Sequence, residues 1–306
     1  WEAVKEEHTA ARNGVALFAL SSFGKLHISG PGAEAAMEWC ASSEVGTARP
    51  GKVLYTQMLN ERGGVESDLT ILPLGDHGSN DGMSTERSFY AVTSSATCTR
   101  DKDHIMTSAR RRGIEGVIIK EITDDLAVLA LMGPESRSLM QTVFPTANFS
   151  NDAFPFGTAQ ELAAVQHCSN HTVRTLRVSF VGELGWEMHC PAAVAPALWR
   201  ALHDAGTKTG ANSGKGLVNA GYRSLLLSLR LEKKFVHFGH DISPTDTQLD
   251  AGLGFVSASK LKSNTPFLGR EALTEQKRMG FTRRLVSFKV VGSSDATLWG
   301  GEPIYC

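Results

Sequence analysis

Three acidic residues stand where an acceptor for N–H donors could be built. Glu66 and Asp68 fall in the stretch Tyr55–Leu74, and Glu183 falls in Gly182-Glu183-Leu184-Gly185. The runs Val53–Leu59 and Val65–Leu72 alternate with period two and flank Asn60-Glu61-Arg62-Gly63-Gly64, which predicts a β-hairpin. Two positions apart, Glu66 and Asp68 share one face of the second arm. Such a pair is either solvated on an exposed face or held beside a pocket, and pattern alone favours solvation because Asp and Glu are mostly exposed. Bulky neighbours accompany these acids: Tyr55, Met58 and Leu59 on one side, Phe180 and Trp186 on the other. A flat heteroaromatic ligand with ring N–H donors suits such a place. A carboxylate accepts paired N–H bonds, apolar walls sandwich the ring, and an arginine such as Arg223 meets a carboxylate tail or ring oxygen.

Other chemistries find less support. His237-x-x-His240-Asp241 has ligand-like spacing, but without Cys partners or an HExxH pattern it reads as an ordinary loop, so no metal is expected. The Gly182–Gly185 turn lacks the Lys-Ser/Thr of a phosphate loop, and no G-x-S-x-G is present. A formal net charge of -1 argues against a nucleic-acid partner. The basic run Arg110-Arg111-Arg112 closes a predicted helix, where cations suit the dipole. No apolar run reaches the length of a membrane span, so no membrane partner is expected. The five cysteines form no C-x-x-C pair and read as free thiols in a reducing compartment.

The elements that must position these residues alternate irregularly. Helices are predicted over Trp1–Gly14, Ala33–Ala41, Thr97–Arg112, Gly133–Val143, Ala195–Ala205 closed by Gly206, Ala220–Leu231, and a short one running to Met279. Strands are predicted over Val15–Leu20, Lys25–Ile28, Phe89–Thr93, Val117–Glu121, Leu126–Met132, Val173–Val181, Trp186–Cys190, Leu253–Ser257 and Arg284–Val290. Within Ala220–Leu231, Ala220, Leu227 and Leu231 read as an inward stripe with Arg223 and Arg230 along its edge. Gly75–Arg87 reads as a polar surface loop. The absence of a βαβ rhythm and of G-x-G-x-x-G favours an α+β fold over a doubly wound one.

Seven blocks, in order, carry a resemblance: LFALSSFGK, YTQMLNERGGVESDLT, LMGPESRSLM, RVSFVGELGWEMHCP, NAGYRSLLLSLRLEKKF, GHDISPTDTQLDAGLGF and KLKSNTPFLGREAL. Together they resemble the tetrahydrofolate-binding region shared by aminomethyltransferases (the glycine-cleavage T-protein family) and the sarcosine and dimethylglycine dehydrogenases, with SFVGELGWE and LKSNTPFLGREAL closer to the dehydrogenases. The resemblance implies an α+β folate-binding module over residues 1–280 and the first strands of a truncated C-terminal β-barrel over 281–306. A start at Trp1 rather than Met, and an end after few strands, read as a piece of a longer chain. In the dehydrogenases an upstream domain carries FAD, so the flavin domain would be a partner absent from this segment.

Matched residue by residue, the resemblance implies that Asp68, closing Gly63-Gly64-Val65-Glu66-Ser67-Asp68, is the essential aspartate. It implies that Glu183 orients the pterin, that Arg223 contacts folate, and that Tyr55, Met58, Leu59 and Tyr90 line the pocket with Trp186 beside Glu183. The implied reaction captures the methylene unit of an iminium, itself derived from an N-methylamine, as 5,10-methylenetetrahydrofolate. Asp68 would raise the nucleophilicity of a folate amine and shuttle a proton. Close coupling matters, since an iminium that meets water first is hydrolysed. A free-standing glycine-cleavage aminomethyltransferase and a non-catalytic folate-binding or regulatory module are the competing readings; retention of Asp68, Glu183 and Arg223 favours chemistry. The implied compartment is the mitochondrial matrix in a eukaryote and the cytoplasm in a bacterium. Departures from the pattern are Ala19, where the family usually has Asp, and Ser94, where many T-proteins have Asn.

Overall fold

A computed structural model describes residues 1–75, 87–163, 171–292, 298 and 300–305. The predicted loop over Gly75–Arg87 lies almost wholly outside them. Helix α1 (Glu2–Asn13) leads into β1 (Ala16–Ala19) and β2 (Gly24–Ser29), and α2 (Ala33–Cys40) follows. The hairpin comes next as β3 (Leu54–Leu59) and β4 (Val65–Pro73), then β5 (Phe89–Thr93), α3 (Cys98–Arg111), β6 (Ile118–Glu121) and β7 (Leu126–Met132). After α4 (Ser136–Val143) come β8 (Ala159–Ala163), β9 (Thr172–Leu176), β10 (Gly185–Pro191), α5 (Ala195–Thr209) and β11 (Val218–Ala220). Residues 222–232 and the helices Gly254–Ser263 and Arg270–Met279 complete the described elements.

Two mixed layers result. One sheet has the order β11-β1-β7-β10-β9-β8 and the other β3-β4-β5-β2-β6. Pairing is antiparallel throughout except for β1 with β11. Alternation along the strands decides which side chains face which layer. On β4, Leu69 and Ile71 join Leu26, Phe89, Met37 and Ile105 in a core under α2 and α3. Leu72 points the other way, with Tyr90, Val53 and Leu176, into a smaller cluster between the two sheets. Trp186 and Met188 of β10 pack under α4 and α5 with Phe149 and Phe154. Between the sheets the Tyr90 hydroxyl and His189 Nδ1 share a buried 2.8 Å hydrogen bond.

Several expectations are corrected. Leu253–Ser257 is not a strand: Gly254–Ser263 is a helix with Val256, Ser257 and Lys260 buried at helical spacing. A short apolar run does not distinguish the two periods. Helix α5 passes through Gly206 and ends at Gly210, which takes the left-handed conformation (φ 68°). The strand predicted over Val173–Val181 stops at Leu176; Arg177 still exchanges backbone hydrogen bonds with Gly157 and Thr158, and residues 178–184 form a connection. Neither Arg284–Val290 nor the described residues 300–305 form a strand. Phe288 and Val290 are exposed, and Leu285 makes a single backbone bond, to Asp250. The alternating pattern is present there, but a strand needs a ladder partner, and none stands beside it among the described residues.

The largest correction concerns residues 222–232. The inward stripe is Leu225 and Leu229 with Arg230, whereas Leu227 and Leu231 are about half exposed. A π-turn over Leu225–Leu229 interrupts the helix and rotates its later residues. Arg230, 1% exposed, donates to the carbonyls of Leu226 and Phe235 and pairs with Asp241. Burial would raise the Asp241 carboxyl, but His240, the His237 N–H and Arg230 all donate to it and hold it below the usual carboxylate range. A carboxylate so held adds stability above its unfolded pKa, and that stability is lost as pH falls through the lower folded value. Arg230→Met is expected to lower unfolding free energy at pH 7 by on the order of 3 kcal/mol, because it strands Asp241 without its cation. Urea denaturation checks this, and an unchanged midpoint would contradict it.

Candidate functional site

The hairpin that carries Asp68 is built by its turn. Asn60 Oδ1 accepts the N–H groups of Arg62 and Gly64, each at 3.0 Å, and Gly63 adopts φ 78°, a region costly for residues with a Cβ. That turn sets Gln57 opposite Asp68 and Tyr55 opposite Thr70. Gln57 and Tyr55 thus share the face of Asp68, and a bulge after Met58 shifts the register beyond it.

Asp68 is half-buried, and Gln57 Nε2 donates to its Oδ1 at 2.8 Å. Burial pushes the Asp68 carboxyl up to about 6, even though hydrogen bonds from Gln57 and Tyr55 favour its charged form. Its partner Tyr55 is pushed well up as well, first by burial and then by the Asp68 charge. Such a carboxyl changes charge near neutral pH, which suits proton transfer to and from an amine. Glu66 is occupied differently. It accepts Asn60 Nδ2 at 2.9 Å and lies 3.9 Å from Arg100, so it belongs to the packing of the turn.

Glu183 lines a cavity of about 300 Å³ with Phe156, Arg177, Val178, Ser179, Leu184 and Gly185. Arg12 of α1 and Lys233 meet the same oxygen, Oε1, at 3.1 and 3.3 Å. The preceding turn needs glycine: at Gly182 (φ 74°) a Cβ would come within 2.4 Å of the Lys233 side chain. Arg12 also donates to the carbonyls of Val181 and Leu229 and to Glu232, so one guanidinium joins α1, the Glu183 connection and the helix after the π-turn. Arg223 sits just before that π-turn, exposed and without an acidic partner among the described residues. Next to it the Tyr222 hydroxyl is hydrogen-bonded to Ser22 at 2.6 Å.

The sequence-predicted residues therefore divide. Asp68 and Tyr55 come together on one face. Tyr90 is fully buried, with Arg174 over its ring at 5.1 Å. Met58 lies in the core beneath the sheet, on the face away from Asp68. Leu59 packs with Val65 and Phe267 against the C-terminal helices. Trp186 is enclosed by Phe149 and Phe154, with the guanidinium of Arg177 beside its ring. Tyr90, Met58, Leu59 and Trp186 are all buried, so none of the four offers a free surface. At the histidine loop, Asp241 is engaged by Arg230, and among the described residues no three His, Cys, Asp or Glu side chains gather as metal ligands. Sequence reasoning missed Gln57, which hairpin register alone would have placed beside Asp68. It also missed Arg12 and Lys233, which carry no local signal.

Known proteins share this arrangement of elements. The GCVT N-terminal domain family matches residues 1–260. The human mitochondrial sarcosine dehydrogenase is 40% identical over 313 residues, which cover 99% of this chain and 32% of that protein. The chain thus spans about a third of the length of such relatives. An aminomethyltransferase from Symbiobacterium thermophilum is 30% identical over 95% of this chain and 72% of its own length. The crystal structure of the glycine cleavage system aminomethyltransferase T from Bartonella henselae superposes with a TM-score of 0.71 over 90% of this chain and 67% of that one, at 23% identity, a likeness of fold. Among the described residues no helix is long and apolar enough to cross a membrane. The chain belongs to the GCVT N-terminal domain family and is an aminomethyltransferase-like domain.

Proposed function

We propose that this chain binds tetrahydrofolate and transfers a one-carbon unit, as the folate region of a sarcosine dehydrogenase-like protein. The observation that carries the reading is Asp68: a half-buried carboxyl held by Gln57 at 2.8 Å beside Tyr55 and pushed up by burial to about 6. The residues present fit the ligand. Its pterin is rich in N–H donors, and Asp68 and Glu183 supply anionic acceptors, the second on the wall of a cavity. Exposed Arg223 is a cation for the ligand's carboxylates. When bound, tetrahydrofolate supplies two amine nitrogens, N5 and N10, that take up the methylene unit of an iminium.

The protein's own part is positioning and proton handling. Gln57 occupies one lone pair of Asp68 Oδ1 and leaves the carboxylate free to accept from a ligand amine. As the carboxylate, Asp68 accepts a proton from that amine, and as the acid it returns one. Glu183 is paired with Arg12 and Lys233, which hold its Oε1 in place. The sarcosine dehydrogenase likeness supports a flavin domain as partner and a mitochondrial setting as part of this reading. A free-standing aminomethyltransferase is the second reading, supported by relatives of that name that are 30% identical over 95% of this chain. Both place the same work on Asp68, and the full-length open reading frame separates them.

Anaerobic calorimetry should show the chain binding tetrahydrofolate, with Glu183→Gln and Arg223→Ala each weakening it roughly tenfold. No heat of binding in the wild type would overturn the reading. In the full-length protein Asp68→Ala should lower folate-coupled methylene transfer by ~10²-fold or more while leaving amine oxidation nearly unchanged. If coupling survives, the role given to Asp68 is wrong.

The sign of the pH dependence follows from the raised carboxyl. The unfolded chain ionises Asp68 near 3.8 and the folded one near about 6. The stability it contributes is therefore full below pH 3.8 and is lost as pH rises through about 6. Asp68→Asn should be more stable than wild type above that window, by on the order of 2 kcal/mol, and no more stable below it. Thermal melts across pH 3.5 to 8 measure the difference.

A further inference from the structure

Asp68 is the near end of a buried chain of amides. Gln57 Nε2 donates to Asp68 Oδ1 at 2.8 Å, and Gln57 Oε1 in turn accepts from Gln248 Nε2 at 2.5 Å. Gln248 Nε2 also donates to Ser42 Oγ at 2.7 Å. Gln57, Gln248 and Ser42 are each 0% exposed, so no solvent competes for these bonds. Gln248 lies far along the chain, in the segment that also meets the hairpin turn through an isolated bridge between Gly64 and Thr247.

A carboxamide has two ends of opposite character, and rotating it by half a turn swaps donor for acceptor. Beside Asp68 the two orientations have opposite consequences. The N–H end stabilises the carboxylate, and the C=O end stabilises the acid. Nothing in Gln57 itself selects one. The ionised carboxylate draws the N–H end itself, but the protonated acid can take either end; Gln248, which presents an N–H to Gln57 Oε1 and would oppose a second N–H placed there, holds the same orientation in both states.

We infer that Gln57 and Gln248 are positioning residues for Asp68, with Gln248 fixing the amide orientation of Gln57 so that an N–H always faces the carboxylate. This rests on the reading of Asp68 as the proton-handling group. Tyr55 is the titratable side chain that meets Asp68 directly, and Glu66 on the same arm is held by Asn60 and Arg100. The raised Asp68 carboxyl would lie higher still without the Gln57 N–H, which acts to lower it.

The test is carboxyl ¹³C NMR of Asp68 in the chain, assigned with Asp68→Asn. Gln57→Met should move the titration midpoint up by about 1 pH unit. Gln248→Met should also move it up, although it does not touch Asp68, and Gln57→Met/Gln248→Met should move it no further than Gln57→Met alone, since the second residue acts through the first. An unmoved midpoint in Gln248→Met, or additive shifts, overturns the relay; a merely structural role would lower thermal stability without moving the midpoint. Should Gln248→Met fail to fold, the wild-type side-chain amide resonances decide. Those of both Gln57 and Gln248 should follow pH with the Asp68 midpoint and cease to do so in Asp68→Asn, and a Gln248 amide insensitive to pH overturns the inference. If Asp68→Asn retains folate coupling, the functional reading falls while the relay stands; if coupling needs Asp68 but the midpoint ignores Gln248, the relay alone falls.

Discussion

The hydrogen bond from Gln57 to Asp68 is the contact on which the candidate site depends, and it exists because of hairpin register. Asn60 and Gly63 close the turn in one way only, and that closure sets position 57 against position 68. A slip of one residue would turn Asp68 toward Leu69's side of the sheet, into the apolar core under α2 and α3. There its charge would have no partner. Register, turn chemistry and the protonation of one carboxyl are thus parts of a single constraint.

Buried or half-buried charges elsewhere follow the same logic of being held from several sides. Arg12 engages Glu183, Glu232 and two backbone carbonyls. Arg230 engages Asp241 and two more carbonyls. Each guanidinium offers five donors in a fixed fork, which lets one side chain join three segments. These two arginines tie the helix of residues 222–232 to α1 and to the histidine loop. Arg223 is carried on the same helix, just ahead of the π-turn, so the exposed cation rests on a well-anchored element.

The chain thus resolves into a frame and a set of groups left with capacity to spare. The frame groups, Glu66, Asp241 and Arg230, have their hydrogen bonds met internally. Asp68, Glu183 and Arg223 retain acceptors or donors that nothing among the described residues consumes in full. That distinction separates Glu66 from Asp68, two acids on one strand face that look alike by pattern.

Much of this was legible in the sequence for identifiable reasons. The hairpin, the helices Ala33–Cys40 and Arg270–Met279, and the strand Leu126–Met132 ahead of Gly133 declare themselves through local periodicity and turn residues, which act over a few positions. The family blocks single out Asp68, Glu183 and Arg223. What only the tertiary structure decided is which side of each element meets what. Met58 and Leu59 are as apolar as a pocket wall should be, yet alternation and a bulge send them into cores. Leu227 and Leu231 sit at helical spacing, yet a π-turn turns them outward and brings Arg230 in. The predicted strands at Leu253–Ser257 and Arg284–Val290 failed because a strand is defined by its neighbour, which no local pattern contains. The amide chain from Gln248 through Gln57 to Asp68 joins residues far apart in sequence. Its meaning lies in donor–acceptor direction, a property that appears only once folding has buried both amides together.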